Sequence, residues 1–213
     1  MDKPVLIICA TDLGKAVLEI FKTNDVVVYG FLDDDKKLHG TEIEDVTVLG
    51  STDDDAFLSI IGKECDVFIA SDDNSWRANI IKNLRKDRKT MPVNAIHKSA
   101  QISNSAILHH GSLYNQNVQI GAHAEIGNHC IIHSGAIIDY ACKVGDFVQI
   151  GAGSIINSGV NIEDNVFIGS GATIVSGVTI EEGARIGAGS VVISNVDKGK
   201  TVFGNPAAVI DKA

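Results

Sequence analysis

From Ile96 onward a branched apolar residue returns every six positions without a slip. Seventeen consecutive hexads open at Ile96, Ile102, Leu108, Tyr114, Ile120, Ile126, Ile132, Ile138, Val144, Ile150, Ile156, Ile162, Ile168, Ile174, Ile180, Ile186 and Val192, thirteen of them with Ile. The fifth position of each is small or β-branched, running from Ala100 and Ala106 through Cys130, Cys142 and Ser154 to Ser190 and Val196. A helix needs apolar spacings of 3 and 4, and an antiparallel sheet needs alternation broken by turn residues. A period of six fits neither. It fits a short strand that turns its Ile inward and is followed by a tight corner, with three hexads to a coil. Stacked coils then form a triangular prism whose Ile columns repeat at about 4.8 Å, a parallel β-helix. Gly at the second or fourth position, as at Gly121, Gly127, Gly145, Gly151, Gly153 and Gly169, is expected to supply backbone freedom at the corners. The composition points the same way, with 28 Ile against 10 Leu, because β-branched side chains suit pleated, half-buried backbone.

Charge and cysteine usage narrow the function. The net charge is −9 and no run of five basic residues occurs, which argues against a nucleic-acid partner, since phosphate neutralisation needs clustered cations. The apolar run Val5–Ala10 is too short for a signal sequence, and no segment reaches the roughly 18 apolar residues of a membrane span. Cys9, Cys65, Cys130 and Cys142 form no CxxC pair. They read as structural thiols in a reducing cytoplasm, with Cys130 and Cys142 in inward small-residue slots. Six histidines fall between His97 and His133, but their columns do not converge, so they read as polar corner residues and no metal is expected.

The first 92 residues follow a different grammar, and the β-helix is expected over 93–213, with its hexads in 96–197. Val5–Cys9, Val26–Leu32 and Asp66–Ala70 read as buried strands, Leu13–Lys22 and Asn74–Arg85 as helices. Strands alternating with helices imply a small parallel α/β sheet of Rossmann-like type. Met91-Pro92-Val93 reads as a short strand and turn entering the first coil. In such sheets a phosphate sits on the first helix N-terminus and an acid after the second strand meets a ribose. That singles out Ala10 and Thr11 in the loop Cys9-Ala10-Thr11-Asp12-Leu13-Gly14, and Asp33 and Asp34 after the second strand. The acidic pair reads equally as a solvated turn. Trp76-Arg77 either approaches a ligand or covers the sheet.

Taken together, a small α/β domain, Phe31-Leu32-Asp33-Asp34-Asp35, the hexads and Gly204-Asn205-Pro206-Ala207-Ala208 resemble the NeuD/PglD-like bacterial sugar acetyltransferases. These belong to the hexapeptide-repeat acyltransferases, whose coils run left-handed. The resemblance implies a homotrimer whose clefts between prisms bring acetyl-CoA to the amino or hydroxyl group of a sugar. It further implies an acceptor of the nucleotide-linked 4-amino-4,6-dideoxy type, for surface glycans, with the nucleotide on the N-terminal domain. The cofactor positions it implies are Gln149, Gly151, Ser170, Ala188 and Pro206, and on the acceptor side Asp139 joins Ala10, Thr11, Asp33 and Asp34.

Several positions depart from that family's pattern. Its first loop reads Gly-x-x-Gly-His-Gly, where this chain has Asp12 and Leu13 at the second Gly and the His. At the usual catalytic His stands Tyr140, at its acidic partner Ala141, at a second His Gln149, and at an Asn seven residues before the first, His133. A phenol is poorly matched to accept a proton near neutral pH, and an imidazole is well matched. His133 is therefore either the replacement base or a corner residue, while Tyr140 orients the acceptor or donates to the thioester oxygen. Backbone N–H groups near Gly151 and Ser170 hold the thioester without any side chain, leaving solvent to carry the proton. Alternatively, the chain is a catalytically degenerate paralogue that binds a sugar metabolite, or an O-acetyltransferase with a non-nucleotide acceptor.

Overall fold

A computed structural model describes residues 3–210 and divides between Lys98 and Ser99 into two compact units. The first is built on β1 (Val5–Ile8), α1 (Asp12–Thr23), β2 (Val28–Leu32), β3 (Glu42–Ile43), β4 (Val46–Gly50), α2 (Asp55–Leu58), β5 (Asp66–Ile69) and α3 (Asn74–Arg88). The strand order is β3-β4-β2-β1-β5, parallel except for the β3–β4 hairpin. Leu6, Ile7, Ile8, Phe31, Leu32, Val67 and Phe68 are buried in the sheet, and Val17, Leu18 and Phe21 of α1 cover it. Phe21 meets Phe68 edge to face at 6.1 Å between centroids.

One sequence expectation changes here, and one open alternative closes. Met91-Pro92-Val93 forms no strand. The Val93 N–H instead donates to Val67 O at 2.9 Å, extending the open edge of β5 by one bond. Arg77 is 2 % exposed and its Nη2 donates to Asn74 Oδ1 at 2.6 Å, so it packs within the unit as cover.

The second unit is the expected parallel β-helix, with a two-residue strand ending at the first position of each hexad. Three faces result, each of parallel strands exactly one coil of 18 residues apart. The first face contains Leu113–Tyr114, Ile131–Ile132, Gln149–Ile150, Phe167–Ile168 and Arg185–Ile186, then the closing hairpin Thr201–Gly204 with Ala207–Val209. The second runs from Gln101–Ile102 through Gln119–Ile120, Ile137–Ile138, Ile155–Ile156 and Thr173–Ile174 to Val191–Val192. The third runs from Ile107–Leu108 through Glu125–Ile126, Lys143–Val144 and Asn161–Ile162 to Thr179–Ile180. From Tyr114 on, every first-position side chain is buried, as is every fifth-position one from Ser112 on. The polar inward residues close hydrogen bonds between coils: Ser154 Oγ donates to Gly169 O at 3.0 Å and Cys142 Sγ to Asn157 O at 3.1 Å.

Glycine serves the corners in two ways, where the sequence suggested one. Fourth-position glycines such as Gly135, Gly153 and Gly171 have φ of +67° to +69° and open space around them. That is the left-handed conformation that costs other residues steric energy. Second-position glycines take no such φ. A Cβ on Gly151 would stand 2.4 Å from Ser170 N, and on Gly169 2.5 Å from Ala188 N. These positions are Gly because the next coil passes too close for any side chain.

Candidate active site

Each coil turns three corners, and the sequence-predicted residues sort onto two of them. The corner after the first face carries His133, Gly151, Ser170 and Ala188 in successive coils, with Gln149 in the strand leading into it. It ends at the hairpin turn that holds Pro206, whose neighbour Gly204 donates its N–H to Ser190 Oγ at 3.1 Å. The corner after the second face carries Asp139 and Tyr140. Asp139 Oδ1 accepts from the Tyr140 N–H at 2.8 Å, and the Tyr140 side chain stands 57 % exposed. His133 and Tyr140 therefore lie on different corners of one prism, so a single copy does not set them side by side.

The corners differ in how their backbone amides are used. At the third corner, Asp146 Oδ1 accepts from Asn128 N, Asp164 Oδ1 from Asp146 N, and Glu163 Oε2 from Glu182 N. At the first corner the equivalent third-position N–H groups, those of the exposed residues Ala152, Ser170 and Ala188, donate to nothing among the described residues. The glycine before each, Gly151, Gly169 and Gly187, leaves no side chain beside them. The result is a row of free donors about 4.8 Å apart. An unpaired amide facing water is a ready hydrogen-bond donor for a ligand, and aimed at a thioester carbonyl it stabilises the oxyanion formed on attack. A pantetheine arm, with two amide groups and a terminal thioester, matches this row. Of the positions expected to meet acetyl-CoA, Ser170 and Ala188 would present backbone donors to such an arm and Gly151 would leave room for it. Ala152 was not foreseen, although third-position Ala, Ser and Ala here against Asn, Asp, Asp and Glu at the third corner are visible in the sequence.

Two grooves run along the prism. One of about 550 Å³ lies on the second face, lined by Gln101, Ser103, Gln119, Gly121 and Asp139, the residue before Tyr140. The other, of about 570 Å³ on the third face, is lined by Glu125, Lys143, Asp146, Glu163, Asp164 and Glu182. Its acidic walls disfavour an anionic donor or acceptor.

In the first unit, the predicted loop residues are tied to one another. Thr11 caps α1, its Oγ1 accepting from Gly14 N at 3.4 Å and donating to Ala70 O at 3.2 Å. Asp33 Oδ2 accepts from Ala10 N at 2.8 Å and Oδ1 from Asp35 N at 2.9 Å, and its carbonyl meets His39 Nε2 at 2.7 Å. Asp34 Oδ1 accepts from both N and Oγ1 of Thr52 at 2.9 Å. The acidic pair therefore shapes the loops at the strand ends; His39 and Thr52, the residues that help to hold it, carried no signal in the sequence. Cys9 adopts φ +79°, and burial beside Asp33 and Asp34 pushes its thiol up to about 12. Asp12 is fully exposed on the first turn of α1, paired with Lys15 at 2.9 Å, which holds its carboxyl below the usual range. A negative charge at this N-terminus works against phosphate binding there.

Among the described residues no group of three or more His, Cys, Asp and Glu can hold a metal ion, and no helix is long and apolar enough to cross a membrane. His109 pairs with Glu125 at 3.1 Å, and the His129 ring lies 5.1 Å from that of Phe147.

Comparison with known proteins bears on the same two units. The PglD N-terminal domain family matches residues 4–84, and the bacterial transferase hexapeptide family matches 141–176 and 159–194. Among curated proteins none matches. Among solved structures, the GDP-perosamine N-acetyltransferase PerB of Caulobacter crescentus, seen with CoA and GDP-perosamine, is 30% identical. The match covers 98% of this chain and 97% of that one, with a TM-score of 0.87. The acetyltransferase domain of PglB from Neisseria gonorrhoeae, in complex with acetyl coenzyme A, is 27% identical over 99% of this chain and 100% of that one, at 0.89. WeeI of Acinetobacter baumannii is 26% identical over 98% of this chain and 100% of that one, at 0.86. With a 30% identical relative spanned from end to end and both domain families in order, the chain belongs to the PglD-like sugar acetyltransferases of the hexapeptide-repeat, left-handed β-helix superfamily.

Proposed function

We propose that the protein transfers acetyl from acetyl-CoA to the amino group of a nucleotide-linked amino sugar of the 4-amino-4,6-dideoxy type, working as a homotrimer. The observation that carries this reading is the row of free amide donors at Ala152, Ser170 and Ala188 along a glycine corner. It receives a pantetheine arm, and its upper end, at His133 and Gly151, is where the thioester lies. The acceptor enters along the second-face groove, where the amides of Gln101 and Gln119 and the Asp139 carboxylate suit sugar hydroxyls. Relatives seen with GDP-perosamine, CoA and acetyl coenzyme A support both halves.

The amine attacks the thioester carbon as the backbone donors take up the oxyanion charge. The C–N bond forms, the C–S bond breaks, the nitrogen loses a proton and the thiolate gains one. Tyr140 positions the acceptor or donates to the carbonyl oxygen, and the proton leaves to His133 or to solvent. In a trimer the Tyr140 corner of one copy faces the His133 corner of the next, which brings together what a single prism keeps apart. The departures at Asp12, Tyr140 and Ala141 favour an acceptor or proton route unlike the relatives', and O-acetylation of a sugar without a nucleotide is the second reading.

The test is turnover of acetyl-CoA, followed by thiol release, against nucleotide-linked 4-amino sugars and the same sugars without nucleotide. Amide formation on the nucleotide-linked amine is expected. Transfer only to hydroxyl groups or only to free sugars overturns the acceptor assignment, and acetyl-CoA binding without turnover on any acceptor establishes the degenerate alternative. A silent His133→Ala with a slow Tyr140→Phe removes His133 from the proton route.

A further inference from the structure

We infer that His123 is the general base of the transfer, taking the proton from the attacking amine at the corner after the second face. This rests on the acetyl-transfer reading with the acceptor in the second-face groove, and it replaces His133 and bulk solvent as the first stop of the proton. The groove ends on the second positions of three successive coils, Ser103, Gly121 and Asp139. His123 stands two residues past Gly121 on the same corner, and Tyr140 belongs to the next coil of that corner. The two coils touch there. Ala122 O accepts from Ala141 N at 2.9 Å, and a Cβ on Gly121 would stand 2.5 Å from Tyr140 N. One coil step is about 4.8 Å, so the imidazole and the phenol belong to adjacent coils beside the end of the acceptor groove.

Of the seven histidines, His123 alone lies on this corner. His39 and His97 belong to the first unit, His133 to the first corner, and His109, His110 and His129 to the third. His123 is exposed, and its side chain makes no hydrogen bond or ion pair among the described residues. Its backbone is held instead, the N–H donating to Ser105 Oγ at 3.1 Å and φ standing at +58°. The neighbouring acids are committed elsewhere. Glu125 pairs with His109 at 3.1 Å, and Asp139 spends Oδ1 on the Tyr140 N–H at 2.8 Å. The corner otherwise offers hydroxyls, amides, that carboxylate and the Tyr140 phenol. Of these side-chain types only imidazole is matched to accept a proton near neutral pH.

The amine lone pair forms the C–N bond and the C–S electrons leave on sulfur. The N–H proton passes to the unprotonated ring nitrogen of His123, directly or through one water. The imidazolium then returns that proton to the thiolate, which leaves a neutral ring and a free thiol. Tyr140, one coil further on, holds the acceptor meanwhile.

Replacement by Asn tests this on a folded chain, because Asn117 and Asn165 hold the same hexad position at φ +57° and +58°. With acetyl-CoA and the amino sugar that the wild type acetylates, His123→Asn is expected to lower kcat about a hundredfold and to leave acetyl-CoA affinity unchanged. Imidazole added to the buffer should raise the rate of the variant and not that of the wild type, a response that a merely structural residue would not give. A His123→Asn protein that runs at the wild-type rate overturns the assignment, and so does a slow one that imidazole fails to raise. A wild type that acetylates no amino sugar overturns the acetyl-transfer reading, and this assignment with it.

Discussion

At the scale of single residues, the two glycine classes make opposite demands on a replacement side chain. Gly151 needs space: an alanine Cβ there would meet Ser170 N at 2.4 Å, and backbone cannot rotate away. Gly153 needs only a left-handed φ of +67°, with nothing within 4 Å. Asn117 and Asn165 already occupy the same hexad position at φ +57° and +58°, and even Ala141 and Phe147 are held there. Gly151→Ala is therefore expected to cost about 1–3 kcal/mol by overpacking, and Gly153→Ala about 1–2 kcal/mol of left-handed strain. Replacement by Asn separates the two mechanisms. Gly153→Asn should be milder than Gly153→Ala, because Asn tolerates this conformation, whereas Gly151→Asn should be at least as damaging as Gly151→Ala. Urea unfolding followed by circular dichroism ranks the four variants, and equal tolerance of Asn at both sites would refute the distinction.

At the scale of elements, local chemistry explains what the sequence disclosed and what it withheld. The hexads were legible because each inward Ile is demanded by its own coil, so the period survives any change at the surface. β1, α1, β2, β5 and α3 were legible from apolar runs and spacing, to within a few residues at their ends. β3, β4 and α2 went unseen: two to five residues long, they are held by pairing with neighbours already in place, as in Phe31 with Val48. The site was legible only as positions. Free amides appear once third-position side chains are known to cap one corner and spare another, and the separation of His133 from Tyr140 follows from the prism. In α1 one side chain serves two bonds, since Thr11 Oγ1 both caps Gly14 N and reaches Ala70 O. Thr11→Ala is expected to destabilise the first unit by about 1 kcal/mol, with Thr11→Ser largely restoring it. Urea unfolding read through Trp76, the only tryptophan, checks this on the unit concerned, and an Ala variant as stable as the Ser variant would show the cap to be idle.

At the scale of the whole molecule, the proposed trimer must bury a surface, and the exposed apolar side chains of the β-helix indicate which. Tyr140, Ile155, Val175 and Ile193 are each 39–58 % exposed and all lie on the second face or the corner after it. Along that face the outward residues change from Gln101 and Gln119 in the early coils to Ile137, Ile155, Thr173 and Val191 later. A face so rich in branched apolar side chains is an interaction surface rather than scattered exposure. The polar end stays open for the acceptor while the apolar end packs against another copy, and cyclic symmetry repeats that contact three times. Ile107, 55 % exposed on the third face, lies outside this surface, as do Phe203, Val209 and Ile210 in and after the closing hairpin. Sedimentation velocity should find the wild type at three times the chain mass of 22.5 kDa. Ile155→Lys with Val175→Lys should dissociate it and abolish turnover, since the His133 and Tyr140 corners then part. Ile107→Lys should leave both mass and turnover unchanged; a trimer that survives the paired substitution but falls apart on the single one would move the interface to the third face.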